Sequence, residues 1–218
     1  WIVGQSKQVK EYIANYFKDP GAFMENTKGG GAFEFNKIAV GDRLEEENLK
    51  RQEEKLKEIG EKIMETMKQS PSLKELSKQI KIELTKEGMR IELVEQSNKV
   101  FFDVGTANLK DDAVHVLAII ASELSKMPNH VVLEGHTDSR QYQSSNGYTN
   151  FELSADRANS ARRVLMKNGL DEKRIDGVMG YADKRLRNPA DPYDVVNRRT
   201  SILVKYDEKA ITKAKKDE

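Results

Sequence analysis

Val131-Val132-Leu133-Glu134-Gly135-His136-Thr137-Asp138 is a run of strand-forming residues that ends abruptly in polar ones. Pro128-Asn129 stands before it and a long polar stretch, Thr137–Tyr148, stands after it. The β-branched cluster between such breakers predicts a strand from His130 to Gly135. Thr149-x-x-Glu152 then forms a capping box, which opens a helix over residues 150–168 that stops at Asn168-Gly169. A further strand follows within residues 174–182, around Ile175, Val178 and Met179. This strand–helix–strand unit decides the fold class. It predicts an α/β (α+β) sandwich, with a mixed β-sheet and helices mainly on one face, and a right-handed crossover between parallel neighbours.

The flanks extend the same sheet. Residues 79–95 alternate, with Ile80, Ile82 and Leu84 and then Ile91 and Leu93 separated by charged residues. With a turn at Lys86-Glu87-Gly88 this predicts a β-hairpin with one wet face. Asn108 is expected to cap a helix over residues 109–127, buried through Ala113, Leu117, Ile120, Ala121 and Leu124. Thr200–Tyr206 predicts the last strand. Pro71, with Ser72 three residues before Glu75, predicts a short capped helix ahead of the hairpin. The folded domain is thus expected to span residues 71–207, with a charged tail at 208–218.

Upstream, residues 43–69 read as a long charged helix with a narrow stripe of Leu44, Leu49, Leu56, Ile59, Ile63 and Met67. The stripe suits either a weak dimerising coil or a stalk. Residues 21–42, rich in Gly, read as linker, so that 21–70 is linker and charged helix. Val9, Tyr12, Ile13, Tyr16 and Phe17 lie on one face of a short amphipathic helix over 5–17. Trp1-Ile2-Val3 suits either an arbitrary start or the end of a membrane span. Residues 1–20 together would be span end plus amphipathic helix.

Composition narrows the function. The 218 residues carry 37 basic and 36 acidic side chains, a net charge of +1, which disfavours a sequence-independent nucleic-acid binder. No cysteine is present, so disulfides, Cys-based metal sites and thiol catalysis are excluded. Polar groups just past a strand's carboxyl end are where open α/β sheets place ligands. Thr137 and Asp138 sit there, and the capped helix brings Asn150, Leu153 and Arg157 towards them. A carboxylate, a guanidinium, a hydroxyl and an amide suit a zwitterion: Asp138 would accept an ammonium, and Arg157 would grip a carboxylate with its planar fork. The plainer alternative is that Asp138 and Arg157 simply pair with each other. Asn197-Arg198-Arg199 is a second cationic spot, readable as sheet-edge ion pairing or as anchoring near the pocket. A His136–Asp138 metal site or a Ser139–His136–Asp138 triad can be drawn, but the first lacks further ligands and the second lacks a nucleophile elbow.

Gly135-His136-Thr137-Asp138, Asn150-x-x-Leu153-Ser154-x-x-Arg157-Ala158, Gly180 and Asn197-Arg198-Arg199 together resemble the OmpA-like peptidoglycan-binding domain. The resemblance covers roughly residues 78–207. It implies that Asp138 and Arg157 bind the free end of diaminopimelate in the peptidoglycan stem peptide, with Thr137, Asn150, Leu153 and Arg198 around them. The Ser139–Thr149 loop is longer than in many members. The Tyr148–Asn159 stretch, Leu84-x-x-Glu87-Gly88-x-Arg90-Ile91 and Tyr16-Phe17-Lys18-Asp19-Pro20 are similar to the MotB branch, the flagellar stator subunits. That branch implies a non-enzymatic anchor without metal or cofactor, in the periplasmic part of a single-pass inner-membrane protein. It also implies a homodimer, a MotA-type partner, and a plug role for residues 5–17. A general wall-linking envelope protein of the same fold and a peptidoglycan hydrolase stand as the alternatives.

Overall fold

A computed structural model describes residues 31–96, 101–142, 147–208 and 210, with side chains from Arg43 onward. The segments read as span end and plug helix, residues 1–20, lie outside the described residues. The chain divides into two compact units, residues 53–207 and a second made of 1–52 and 208–218. Among the described residues no helix is long and apolar enough to cross a membrane.

Helix α1 runs Gly31–Gln69, so it begins well inside the stretch read as linker. Its sequence is rich in Glu and Lys, which lose little side-chain freedom in a helix. Leu56, Ile63 and Met67 are fully buried, which gives the stripe a core-packing role. Each such side chain contributes about 1.5–3 kcal/mol on burial. A Cβ at Gly60 would stand 2.9 Å from Ile82 Cγ2, so the helix lies close on the sheet there.

The segment after α1 departs from expectation. Residues 71–75 are turns and Leu76–Gln79 is a single 3-10 turn. Ser72 Oγ bonds Ser70 Oγ at 3.1 Å, and Glu75 pairs with Lys78 at 2.9 Å, in place of the expected capping box. Leu73 and Leu76 are both buried. Their three-residue spacing matches the 3-10 period and pins the segment to the core before a longer helix can develop.

Five strands follow: β1 (Ile80–Thr85), β2 (Gly88–Val94), β3 (Val131–His136), β4 (Ile175–Gly180) and β5 (Arg199–Lys205). They form one mixed sheet in the order β1-β2-β5-β3-β4. Only β3 and β4 are parallel. Their connection carries helix α3 (Asn150–Lys167); helix α2 (Asp111–Leu124) precedes β3. The register places Ile82, Ile91, Ile202, Leu133 and Val178 in one row across all five strands. That row belongs to the face carrying the core residues Met89, Val131 and Val204. The expected α2 stripe is buried in full, with Val116 added.

Asn108 does not cap α2. Lys110 holds the N-cap position, and Asp111 and Asp112 place negative charge in the first turn, where it is favoured. Asn108 closes a small loop instead. Its carbonyl accepts the Asp103 N–H at 3.0 Å and its N–H donates to Thr106 Oγ1 at 3.1 Å, beneath a bridge between Phe102 and Leu109.

The second face of the sheet is not simply wet. Lys81 and Glu83 of β1 are exposed, whereas Glu92 of β2 is 6% exposed. Glu92, Ser201 and Glu134 form a row across β2, β5 and β3. Arg187 from the β4–β5 connection and Arg199 of β5 pair with Glu92, and Arg90 pairs with Glu134. Burying those carboxylates requires the cations beside them.

On the helix-bearing face, Gly135 of β3 and Gly180 of β4 are register partners. A Cβ on Gly135 would lie 1.9 Å from the Ser154 carbonyl oxygen, and one on Gly180 would lie 2.6 Å from the Ala155 nitrogen. The backbone of α3 therefore rests directly on the ends of two strands, which only glycine permits.

Candidate ligand pocket at the end of the third strand

The chain leaves β3 through Thr137 and Asp138, both buried. Thr137 N–H donates to the Ala182 carbonyl at 2.9 Å. Ala182 takes a left-handed φ of 47° and is fixed on its other side by its own N–H on Ser154 Oγ at 3.0 Å. Strand end, α3 and the chain after β4 are thus locked together at the pocket floor.

The capping box of α3 forms as read. Thr149 Oγ1 accepts the Phe151 N–H, and the Glu152 carboxylate receives both the Thr149 N–H at 2.7 Å and the Thr149 hydroxyl at 2.6 Å. These bonds hold the Glu152 carboxyl below its usual range. Asn150 donates from its side chain to the Arg140 carbonyl at 2.8 Å, which ties the helix start to the loop.

Asp138 and Arg157 do not pair. One Asp138 oxygen accepts the Arg140 N–H at 3.1 Å. The other accepts the guanidinium of Arg140 and, at 2.8 Å, that of Arg198. Arg198 is held on its far side by Glu95, Nε to Oε2 at 2.7 Å. Glu95 reaches that place because its N–H bonds the Arg198 carbonyl at 3.0 Å, one step past the Val94–Arg199 register pair. Burial works against the Arg198 charge, but its hydrogen bonds to Glu95 and Asp138 outweigh that and raise its pKa.

Arg157, two turns into α3, is 6% exposed. Its Nε donates to the Thr106 carbonyl at 2.9 Å, and its guanidinium carbon sits 4.8 Å from the centre of the Phe102 ring. Among the described residues no carboxylate lies within ion-pairing distance of it. Burial pushes its pKa down, opposed by the charge of Glu95, yet a guanidinium stays protonated in a protein.

Between these groups lies a cavity of about 380 Å³. Thr137, Asp138, Asn150, Leu153, Arg157 and Arg198, the six residues singled out from sequence, all line it. Glu95 and Phe102 line it as well and were missed. Two buried oxygens, Glu95 Oε1 and Thr137 Oγ1, have no hydrogen-bond partner among the described residues. The cavity is therefore lined by a cation with no carboxylate partner among the described residues and by carboxylate-bearing residues, a residue set suited to a small group carrying both charges.

Two other constellations do not assemble. His136 is the register partner of Arg199 and stacks on Tyr181 at 5.3 Å, on the second face, while Ser139 Oγ donates to Asp183 at 3.1 Å. Among the described residues no group of three His, Asp or Glu side chains could hold a metal ion. Asn197-Arg198-Arg199 splits three ways: Arg198 serves the pocket and Arg199 the second face. Buried Asn197 braces the loop between β4 and β5 through Asn188 N–H at 2.8 Å and the Asp191 carbonyl at 2.9 Å.

Residues 101–200 match the OmpA family. Motility protein B of Escherichia coli K12 is 35% identical over 94% of this chain and 71% of its own length. Among solved structures, a MotB-like protein from Desulfovibrio vulgaris superposes with a TM-score of 0.58 at 19% identity, covering 72% of this chain and 97% of that one. The periplasmic domain of Helicobacter pylori MotB gives 0.53 at 22% identity, covering 62% of this chain and 87% of that one. The two structural likenesses speak to the fold.

Proposed function

The chain belongs to the motility protein B family, and on that premise we propose that it is the peptidoglycan-binding anchor of a flagellar motor stator. The anchor holds an ion-conducting complex with a MotA-type subunit to the cell wall, so that torque turns the rotor instead of dragging the stator. On this reading residues 71–207, with the core-packed end of α1 against them, are the wall-binding domain, the rest of residues 21–70 sets its reach, residues 1–20 would end a membrane span and carry a plug helix, and 208–218 would be a charged tail. The domain works in the periplasm, as a homodimer tethered to the inner membrane.

The observation that carries this reading is the buried guanidinium of Arg157, charged and without a carboxylate partner among the described residues, lining the same cavity as Asp138. The free end of diaminopimelate in a stem peptide bears a carboxylate and an ammonium on one carbon. Arg157 takes the carboxylate through its planar fork, and the ammonium lies on the Asp138 side. Thr137, Asn150, Leu153 and Arg198 shape the walls. The function is retention, with no bond made or broken in the ligand.

Co-sedimentation with purified sacculi tests it. The wild-type chain should pellet with the wall and release no soluble muropeptides. Asp138→Ala and Arg157→Ala should each lose roughly 2–5 kcal/mol of binding, because each leaves an opposite charge unpaired in a desolvated site. Undiminished binding by both variants would remove the site, and released muropeptides would replace anchor with hydrolase.

A further inference from the structure

An ammonium presents three N–H donors. Asp138 already accepts three hydrogen bonds, from the Arg140 N–H and from the guanidiniums of Arg140 and Arg198. An ionised carboxylate offers about four acceptor positions, so Asp138 has room for one more donor and an incoming ammonium would be left two short. Two residues of the cavity lining, Glu95 and Thr137, each carry a buried oxygen, Oε1 and Oγ1, that lacks a donor among the described residues. Glu95 and Asp138 are also neighbours, because they grip the same guanidinium, Arg198, at 2.7 and 2.8 Å. A buried carboxylate oxygen with no donor is costly, and a ligand donor removes that cost.

We propose that Glu95 is a second ligand-binding carboxylate, sharing a bound ammonium with Asp138 and Thr137 and thereby selecting ligands that carry a free amine. The proposal rests on the peptidoglycan reading and sharpens it. Arg157 reads the carboxylate of the zwitterion, Asp138 holds Arg198 and gives one acceptor, and Glu95 with Thr137 completes the amine subsite. Glu95 also contributes net charge. With Arg140 and Arg198 neutralising much of Asp138, its negative charge offsets the cation entering the pocket.

The experiment is calorimetric titration of the full chain with two soluble stem peptides. One ends in diaminopimelate with its free amine; in the other that amine is acetylated. Wild type should favour the free amine by about tenfold or more, as expected for hydrogen bonds to a charged group. Glu95→Gln should lose about tenfold on the free-amine peptide and leave the acetylated one unchanged. If Glu95 only positions Arg198, both peptides weaken together and the proposal fails. Thr137→Val, which keeps the shape and the charge, should weaken the free-amine peptide alone by a few fold. It decides the matter if Glu95→Gln does not fold, and equal loss on both peptides again overturns the proposal. A wild-type chain that binds neither peptide nor sacculi would instead defeat the wall-binding reading itself. Loss of sacculus binding by Arg157→Ala, with the wild-type preference for the free amine kept in full by Glu95→Gln, would defeat only the role of Glu95.

Discussion

The two faces of the sheet each hold a cluster of arginines and carboxylates, and the clusters differ in how they are closed. On the second face, Glu92 accepts Arg199 Nε at 2.8 Å, the Ser201 hydroxyl at 3.3 Å and the guanidinium of Arg187. Arg199 spends its other donors on the Asn197 and Arg185 carbonyls. Burial, with Arg187 and Arg90 nearby, brings the Arg199 pKa down to about 10, still well above neutrality. His136 is buried there too, and burial lowers its pKa. At the pocket, among the described residues, the same residue types leave Arg157 without a carboxylate and two oxygens without donors. Charge clusters of one chemistry therefore differ in closure: matched, they seal a sheet face; left incomplete, they leave charge that the proposed ligand would complete.

The largest expected effect lies on the sealed face. Glu92→Ala removes the carboxylate shared by Arg187 and Arg199, leaves the buried Arg199 without one, and should cost about 3–5 kcal/mol of stability by urea denaturation, with sacculus binding by the folded fraction retained. A loss below about 1 kcal/mol would mean that this face is not held by its ion pairs.

Acid provides the next test. Burial alone would raise the Glu134 carboxyl, but His136, at 3.7 Å, and the paired Arg90 overcome that and hold it at about 2 against an ordinary 4.5. A depressed carboxyl stabilises the fold above its unfolded pKa, so this contribution is lost as pH falls from about 4.5 towards 2. It amounts to up to about 3 kcal/mol. His136, depressed from 6.5, acts with the same sign at higher pH, because below about 6.5 the unfolded chain takes up a proton that the folded chain refuses. Glu134→Gln should therefore flatten the stability profile below pH 4.5. Its slope surviving unchanged would shift the effect to other carboxylates.

Arg157→Lys should show the opposite signature to Glu92→Ala. The charge is kept and the bidentate fork is lost, so sacculus binding should fall about tenfold while the denaturation midpoint barely moves. The smallest effect belongs to the helix that carries Arg157. Thr149→Ala removes its cap and should lower stability by about 1 kcal/mol, readable as a shifted urea midpoint.

What could be read from sequence was local. The capping box of α3 needs four consecutive residues, and the strands announce themselves through alternation over five or six positions; both were legible. Asp138 and Arg157 were found through their spacing within one strand–helix unit. Whether they pair was not legible, because the answer depends on Arg198, 60 positions from Asp138, arriving at the end of β5. Glu95 was missed for the same reason. It carries no motif, and its place in the pocket comes from the β2–β5 register, which single-sequence periodicity cannot supply. The one available hint was its position two residues after Leu93, continuing the inward-facing alternation with a charged residue. The buried Glu92 was misread as solvent-facing because alternation reports two faces and not what later segments lay over the second. From sequence the α1 stripe suits a coil or a stalk, and its packing in the core was not legible because coil and core helices use the same period.

The glycine pair at positions 135 and 180 has a consequence for selectivity. Asp138 follows Gly135 by three residues, and Arg157 follows Ser154 by three, and Gly135 meets the backbone of Ser154 with no side chain between them. The main chain that carries the two charged side chains is therefore held by backbone resting on backbone, which does not compress. On the proposed reading, the pocket would act as a gauge for the distance between an ammonium and a carboxylate. A ligand whose charges stand one carbon too far apart would then bind more weakly even with both charges present.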